Sequence, residues 1–540
     1  MSTTPPTLPG GPRTATVAFV GAGPGDPGLL TLAAVAALGQ AAVVMTDQVT
    51  RDAAVLAHAP AEVEVVDASH GSHGQALTQA SRAKLLVSRA KAHPGALVVR
   101  LMDGDPTVFN GFAEEALACV KAGIPFDVIP GVSAATAVPA YAGIPLTSAG
   151  VSAVHVLDAG DKGADLAHAV DSATSVVLLG TAKELSRSLS TLLSAGRDAA
   201  TPVALTERGT TTRQRTTTTV LGDAPETVAA LEFPTLAVVG PTVQLRDQLS
   251  WFEAKPLFGW SVLVPRTKEQ AGGTGELLGA QGAAAHVVPT ISVEPPRTPH
   301  QMERATKGLV TGRYEWIGFT SVNAVKAIRE RIEGLGLDAR VFAGVKVAAV
   351  GGASAQALRD WGITPDLVPT EEFSASGLLA VWPAYDEEVD PINRVFLPRA
   401  DIATDTLVAG LRDLGWEVED VTAYRTVRAA PPAQEVRDAI KGGDFDAVVF
   451  TSSSTVRNLV GIAGKPHTST VVACIGPATA KTAEEHGLRV DVLAAEATVS
   501  ALVDGLAEYG RGLARAAAAT GEPVRKPSDR RRTPGRRRAR

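Results

Sequence analysis

The chain has 540 residues, a formal net charge of −6 and 45% hydrophobic residues, but only 4% aromatics and two cysteines. At about 150 residues per domain, this length predicts several domains with large cores. The acidic balance argues against nucleic acid as the main partner. Cys119 and Cys474 lack a partner at metal spacing and read as reduced core thiols of a cytoplasmic protein with no metal site.

Residues 1–14, rich in Pro, Thr and Gly, read as a flexible leader rather than a signal peptide. No membrane span is expected, because the apolar stretch Leu29–Met45 is broken by Gly39 and Gln40. A βαβ-like unit runs from Ala15 to about Asp47, and its first strand enters the loop Gly21-Ala-Gly-Pro-Gly-Asp-Pro-Gly. A dinucleotide-binding turn is one reading, since Asp47 ends the next strand. Pro24 and Pro27 oppose it: they remove N–H donors where a pyrophosphate needs several, which suits the loop to an uncharged or zwitterionic adenosyl ligand. Strand–turn units follow at 97–104, 126–130, 153–158, 175–180, 202–206 and 235–240. An amphipathic helix after Pro241 closes a front domain of residues 15–253, and 254–259 reads as a linker.

The rest of the chain repeats three phrases in rotated order. Val262-Leu-Val-Pro-Arg returns as Val395-Phe-Leu-Pro-Arg, Trp316-Ile-Gly-Phe-Thr-Ser as Ala447-Val-Val-Phe-Thr-Ser, and Val347-Ala-Ala-Val-Gly-Gly-Ala as Val472-Ala-Cys-Ile-Gly-Pro-Ala. Each is an apolar run ending in a small or polar turn before a helical pattern, the grammar of a parallel strand feeding a helix N-terminus. Two α/β lobes facing one cleft are implied. Strands at His286–Val293 and Val418–Val427 precede two crossings, so the first lobe is discontinuous: lobe one comprises 260–292 and 430–512, and lobe two 293–429. The tail, 513–540, reads as disordered and basic; its last sixteen residues carry nine Arg or Lys and one Asp, which suits solvent, an acidic partner or RNA.

Three ordered segments extend the glycine loop: Val99-Arg-Leu-Met-Asp-Gly-Asp-Pro-Thr-Val-Phe, Val128-Ile-Pro-Gly-Val-Ser-Ala-Ala and Pro139-Ala-Tyr-Ala-Gly-Ile-Pro-Leu-Thr. Together they resemble the tetrapyrrole methylases, most closely uroporphyrinogen-III C-methyltransferase, over roughly residues 15–245. The resemblance implies two α/β subdomains with S-adenosylmethionine between them, commonly in a homodimer. Cofactor contacts would fall at Pro24, Asp103, Gly104, Asp105, Val108, Ser133, Ala134, Leu179 and Gly209. Asp47 would be a catalytic proton acceptor, although by itself it is a strand-end carboxylate. The family's catalytic arginine is Gly111 here, and a lysine is Ala68. The substrate is an octacarboxylate, and each charged hydrogen bond contributes about 1.5–3 kcal/mol, so these losses bear on turnover more than on cofactor binding.

Phe319-Thr-Ser-Val-Asn-Ala-Val, Phe396-Leu-Pro-Arg-Ala-Asp, Ala423-Tyr-Arg-Thr, Phe450-Thr-Ser-Ser-Ser-Thr-Val and Ile475-Gly-Pro-Ala-Thr-Ala resemble uroporphyrinogen-III synthase over roughly 258–510. That implies two flavodoxin-like α/β lobes joined by a two-stranded connector. It also implies cyclisation of hydroxymethylbilane with inversion of ring D, without a cofactor. Loss of the hydroxyl as water gives an azafulvene; ring D attacks through its substituted carbon, and the spiro intermediate reopens to the type III isomer. Uncatalysed closure gives type I, and a hundredfold preference needs only about 2.8 kcal/mol, within reach of positioning alone.

Candidate substrate contacts are Thr320, Ser321, Thr451, Ser452 and Ser453 at strand ends, with Gly476 and Thr479 opening another helix. Hydroxyls and amides there can receive carboxylates, or can simply cap helices. Arg399 either pairs with a substrate carboxylate or closes a turn. Tyr424 matches the family tyrosine that assists hydroxyl departure. The expected protein is thus a fused methylase and synthase of the sirohaem and cobalamin branch. A first alternative keeps the synthase and makes the front a catalytically impaired S-adenosylmethionine-binding or scaffold domain. A second, a two-lobed periplasmic binding protein, would need a secretion signal.

Overall fold

A computed structural model describes residues 16–47, 53–70, 75–161, 169–232 and 234–532; the expected leader lies outside them. By Cα proximity the chain forms two units, one of residues 1–261, 276–284 and 506–524, the other of 262–275, 285–505 and 525–540. Among the described residues no helix is long and apolar enough to cross a membrane, and no group of three His, Cys, Asp or Glu could hold a metal. Both cysteines are buried, and burial pushes the Cys119 thiol up to about 11 and the Cys474 thiol up to about 12.

The first unit holds two sheets. Strands β1 (Thr16–Gly21), β2 (Ala41–Thr46), β3 (Glu64–Asp67), β4 (Leu97–Met102) and β5 (Phe126–Ile129) lie in the order 3-2-4-1-5, all parallel. Their central strands are buried on both faces, one against Phe19, Met45 and Leu86, the other against Val20, Val44 and Leu38, which is why they read as continuous apolar runs. Strands β6 (Ala153–Asp158), β7 (Thr174–Leu179), β8 (Pro202–Glu207), β9 (Arg215–Val220) and β10 (Pro234–Val239) form a mixed sheet in the order 6-7-10-8-9. The strand Arg-Thr-Thr-Thr-Thr-Val is absent from the sequence expectations because it is polar; it forms an edge, where β-branched threonines suit a half-exposed pleat.

The second unit holds the two lobes. Strands β11 (Ser261–Val264) and β12 (Ala284–Val287) start lobe one. Lobe two is built from β13 (Ile291–Glu294), β14 (Trp316–Phe319), β15 (Lys346–Ala349), β16 (Arg394–Ala400) and β17 (Glu417–Arg428). The chain then returns through β18 (Ala447–Phe450), β19 (Val471–Cys474) and β20 (Val492–Leu493). The strand expected over 286–293 is therefore two, interrupted at Pro289, which has no N–H for a ladder. Lobe one has the order 12-11-18-19-20, the flavodoxin order. Lobe two has the order 13-17-16-14-15, and β13 and the end of β17 pair antiparallel, Ile291 with Arg428 through Glu294 with Arg425.

The rotation of the phrases has a structural cause: lobe two is a circular permutation of lobe one. In each sheet the Pro-Arg strand lies beside the Phe-Thr-Ser strand, which lies beside the glycine strand. The registers agree to the residue. Val262 faces Ala447 as Val395 faces Trp316, and Ala447 faces Val471 as Trp316 faces Lys346. Ser321 caps the helix Val322–Gly334 as Ser452 caps Ser453–Ala463. Asp366 accepts from the Val347 amide as Asp491 does from Val472.

Two boundaries differ from expectation. Residues 254–259 do not form a loose linker: Leu257 is buried, and its amide and that of Gly259 donate to the Gln281 and Gly282 carbonyls. The tail is ordered well past 512. The helix Val499–Thr520 continues through an alanine-rich run, and the Ser528 amide donates to buried Asp446 at 3.0 Å; residues 533–540 lie outside the described part.

Candidate active sites

In the first unit the ends of β1, β4 and β5 converge so closely that only glycines fit. A Cβ on Gly21 would lie 2.5 Å from both the Gly104 oxygen and the Gly131 Cα, and Gly104 itself has φ +57°. Asn110 holds the intervening loop by donating to the carbonyls of Asp103 and Asp105, each at 2.6 Å. The Asp105 carboxylate is spent on the same loop, accepting from Thr107 at 2.5 and 2.8 Å and from the Gly131 amide at 3.0 Å. Burial raises its pKa, but those hydrogen bonds outweigh it and hold the carboxyl below the usual range.

These loops wall a cavity of about 740 Å³. All nine residues expected to touch the cofactor line it: Pro24, Asp103, Gly104, Asp105, Val108, Ser133, Ala134, Leu179 and Gly209. So do Phe109, Asp158, Arg208 and Arg213, which the sequence did not single out. Among the described residues the only non-glycine left-handed positions are Phe109, Arg208 and Thr210. The first two line the cavity and the third flanks Gly209, and such strain concentrates at functional sites. Asp26 links the first glycine loop to the other subdomain, its amide donating to Thr210 Oγ1 and its carboxylate accepting from Tyr141 at 2.7 Å.

Asp47 is not among the cavity's lining residues. Its carboxylate is bound by Arg100, at 2.7 Å, and faces Arg82 at 3.4 Å. Arg100 has no exposed surface and also forks onto buried Glu115 at 2.8 and 3.0 Å. Burial opposes its charge, but the two carboxylates more than offset that and raise its pKa. The sequence signal was an arginine in the middle of the apolar strand Leu-Val-Val-Arg-Leu-Met. Where the family arginine is replaced by Gly111, φ is +69° and a Cβ would meet the Gln79 amide at 2.5 Å. Ala68 is fully buried.

In the second unit the cleft is lined by hydroxyls and by charged groups of both signs. A cavity of about 520 Å³ is walled by β13, the helix Val322–Gly334 and Tyr424, and its lining includes Lys326 and Arg331 as well as Glu294 and Glu330. The Tyr424 hydroxyl lies 2.9 Å from Ser321 Oγ, which also caps that helix through the Ala324 amide at 3.1 Å. Thr451 and Ser452 line a second, smaller cavity in lobe one.

Other candidates are drawn elsewhere. Arg399 is buried against its own lobe, bound to Asp420, to Asp405 at 2.9 Å and to the Thr404 carbonyl; it closes a turn. Ser453 donates to the Ala478 carbonyl at 3.0 Å, and Thr479 is buried. Thr320 and Gly476, at the ends of β14 and β19, line neither cavity.

Comparison with known proteins agrees with this division. Residues 16–225 match the Tetrapyrrole (Corrin/Porphyrin) Methylases, and residues 273–504 match Uroporphyrinogen-III synthase HemD. The porphyrin biosynthesis protein HemD of Ruminiclostridium josui is 32% identical over 505 residues, 92% of this chain and 98% of that protein. Siroheme synthase 2 of Aeromonas hydrophila is 42% identical over 243 residues, covering 44% of this chain; the chain spans only 51% of that relative. Among solved structures, the uroporphyrin III C-methyl transferase of Thermus thermophilus is 34% identical over 43% of this chain and 99% of its own, with a TM-score of 0.37. The chain belongs to the porphyrin-biosynthesis family in which a tetrapyrrole methylase and a uroporphyrinogen-III synthase are fused in one polypeptide.

Proposed function

We propose that the second unit cyclises hydroxymethylbilane to uroporphyrinogen III, and that the first methylates this product from S-adenosylmethionine towards precorrin-2. The observation that carries the reading is the Tyr424–Ser321 pair at the wall of the cleft. Tyr424 donates its hydroxyl proton to the departing hydroxyl, which leaves as water while the adjacent pyrrole supplies the electron pair. The pyrrole N–H then returns a proton, and Ser321 holds the phenol in place. Lys326 and Arg331 draw the polyanion into the cleft, where positioning selects which carbon of ring D attacks. Thr451 and Ser452 present donors at the helix N-terminus for carboxylates, whereas Thr320, Ser453, Gly476 and Thr479 act through the fold.

The front cavity suits S-adenosylmethionine. Val108, Ala134, Val138, Leu179 and Leu236 give it an apolar wall for an adenosyl group, and Asp103 and Asp158 give it carboxylates for a cation. Bound there, the cofactor would supply an electrophilic methyl group. Arg208 and Arg213 line the same cavity and would meet substrate carboxylates in place of the arginine lost at Gly111. Asp47, ion-paired with Arg100 and Arg82, stands outside the cavity lining and acts on the site through those arginines. The reading also carries a cytoplasmic location, a homodimer through the front unit, and an acidic partner or RNA for the basic tail.

The test is one reaction of the purified chain with freshly generated hydroxymethylbilane and S-adenosylmethionine, separating products by isomer and mass. The expected product is type III carrying added methyl groups. Unmethylated type III would reduce the front unit to a cofactor-binding scaffold, and type I at the uncatalysed proportion would overturn the synthase.

A further inference from the structure

Circular permutation gives the turns after the repeated phrases of one lobe counterparts in the other, and one pair has diverged in its surroundings. Arg266, after β11, corresponds to Arg399, in β16. Arg399 is saturated by Asp420 and Asp405, which raise its pKa. Arg266 has no carboxylate within ion-pair distance among the described residues, and burial alone lowers its pKa. A desolvated guanidinium without a counter-ion costs stability, and it persists where an anion completes it.

The space beside Arg266 is a small cavity with a polar lining. A cavity of about 130 Å³ is lined by Arg266, Thr267, Thr451, Ser452, Thr455 and Asn458, room for a carboxylate arm but not for a whole tetrapyrrole. It sits between the C-terminal ends of β11 and β18, the point where the strand order of lobe one reverses and where open α/β sheets bind ligands. Ser452 there caps the helix Ser453–Ala463. Thr267 and Ile291 line both this cavity and the larger one at Tyr424, so the two adjoin.

We propose that Arg266 is the carboxylate receptor of lobe one, taking an acetate or propionate arm of the linear tetrapyrrole while the remainder occupies the larger cavity beside Tyr424. This rests on the synthase reading. Lobe two cannot offer the same contact, because Asp420 and Asp405 already occupy its arginine. The substrate is therefore anchored asymmetrically, with its charge held by one lobe and its leaving group met by the other. That asymmetry is what a reaction selective for one end of a chain of four similar rings requires.

The experiment is steady-state cyclisation by the full-length wild type, Arg266→Gln and Arg266→Lys, with the isomers separated and thermal unfolding recorded for each. Loss of a forked charged contact should raise KM for hydroxymethylbilane about 10- to 100-fold in Arg266→Gln. Arg266→Lys, which keeps the charge without the fork, should fall between, and kcat should move less than KM in both. The unfolding midpoint of Arg266→Gln should not fall, since no native ion pair is lost. An unchanged KM in both variants overturns the receptor, as does a loss confined to kcat or one matched by a fall in the midpoint. Failure of the wild type itself to form type III overturns the synthase reading instead.

Discussion

The two units treat charge in opposite ways. In the front unit a buried electrostatic cluster sets Arg100 against the carboxylates of Glu115 and Asp47, so its cation is paired from within the fold. In the rear unit the cleft beside Tyr424 mixes Lys326 and Arg331 with Glu294 and Glu330, while Arg266, in the adjoining cavity, has no carboxylate within ion-pair distance among the described residues. Buried and mutually neutralised charges hold loops in place for a cofactor whose chemistry is intrinsic. Unsatisfied donors are what a cleft needs when its substrate is a polyanion and its task is to choose a conformer. A satisfied charge near a site is therefore read as support, and an unsatisfied one as a receptor.

Removing the centre of the front cluster tests this most severely. Arg100→Ala leaves Glu115 buried without a counter-ion and should destabilise the front unit by about 3–5 kcal/mol, read from its chemical unfolding midpoint. Synthase activity should survive wherever the rear unit stays folded. A mild loss in the front, or an equal loss in both units, would break the contrast.

Tyr424→Phe should leave stability nearly unchanged and slow cyclisation by about 10²-fold, the lower range for a lost general acid. It should also shift the product towards type I, the uncatalysed isomer. A double-mutant cycle with Ser321→Ala sharpens the prediction: if Ser321 acts only by holding the phenol, its effect should vanish once the hydroxyl is gone.

The smallest effect is one of pH. The folded pKa of Asp105 is depressed, so its contribution is fully present above the unfolded value of about 3.9 and is lost as pH falls through the folded value. The front unit's melting temperature should therefore drop below about pH 4, and Asp105→Ala should flatten that limb while leaving the neutral plateau only slightly lower.

Much of this was legible in the chain. The phrases ending in Phe-Thr-Ser and Pro-Arg disclosed a duplicated lobe, because a parallel strand and its turn are read from contiguous residues. Pro24, Asp103 to Val108, Ser133 and Gly209 lie far apart in sequence, yet family motif order was enough to bring them to one cavity. What escaped was set by neighbours on other turns and strands. Arg399 and Arg266 end the same repeated phrase, but only Asp405 and Asp420 distinguish them. Asp47 read as a strand-end acid open to a proton-accepting role, and only the fold shows that Arg100, from another strand, binds its carboxylate. The alanine-rich run to Thr520 looked like a tail because it carries no apolar periodicity, although alanine itself favours helix.

The sequence by itself determined the two families, the α/β class and the rotated repeat, since these rest on local strand grammar and ordered motifs. The tertiary structure decided which charged side chains are spent and which are open. Electrostatic satisfaction depends on groups a few ångströms away in space but on other elements of the fold, 15 residues from Arg100 at Glu115 and 53 at Asp47, and no strand or helix periodicity encodes it.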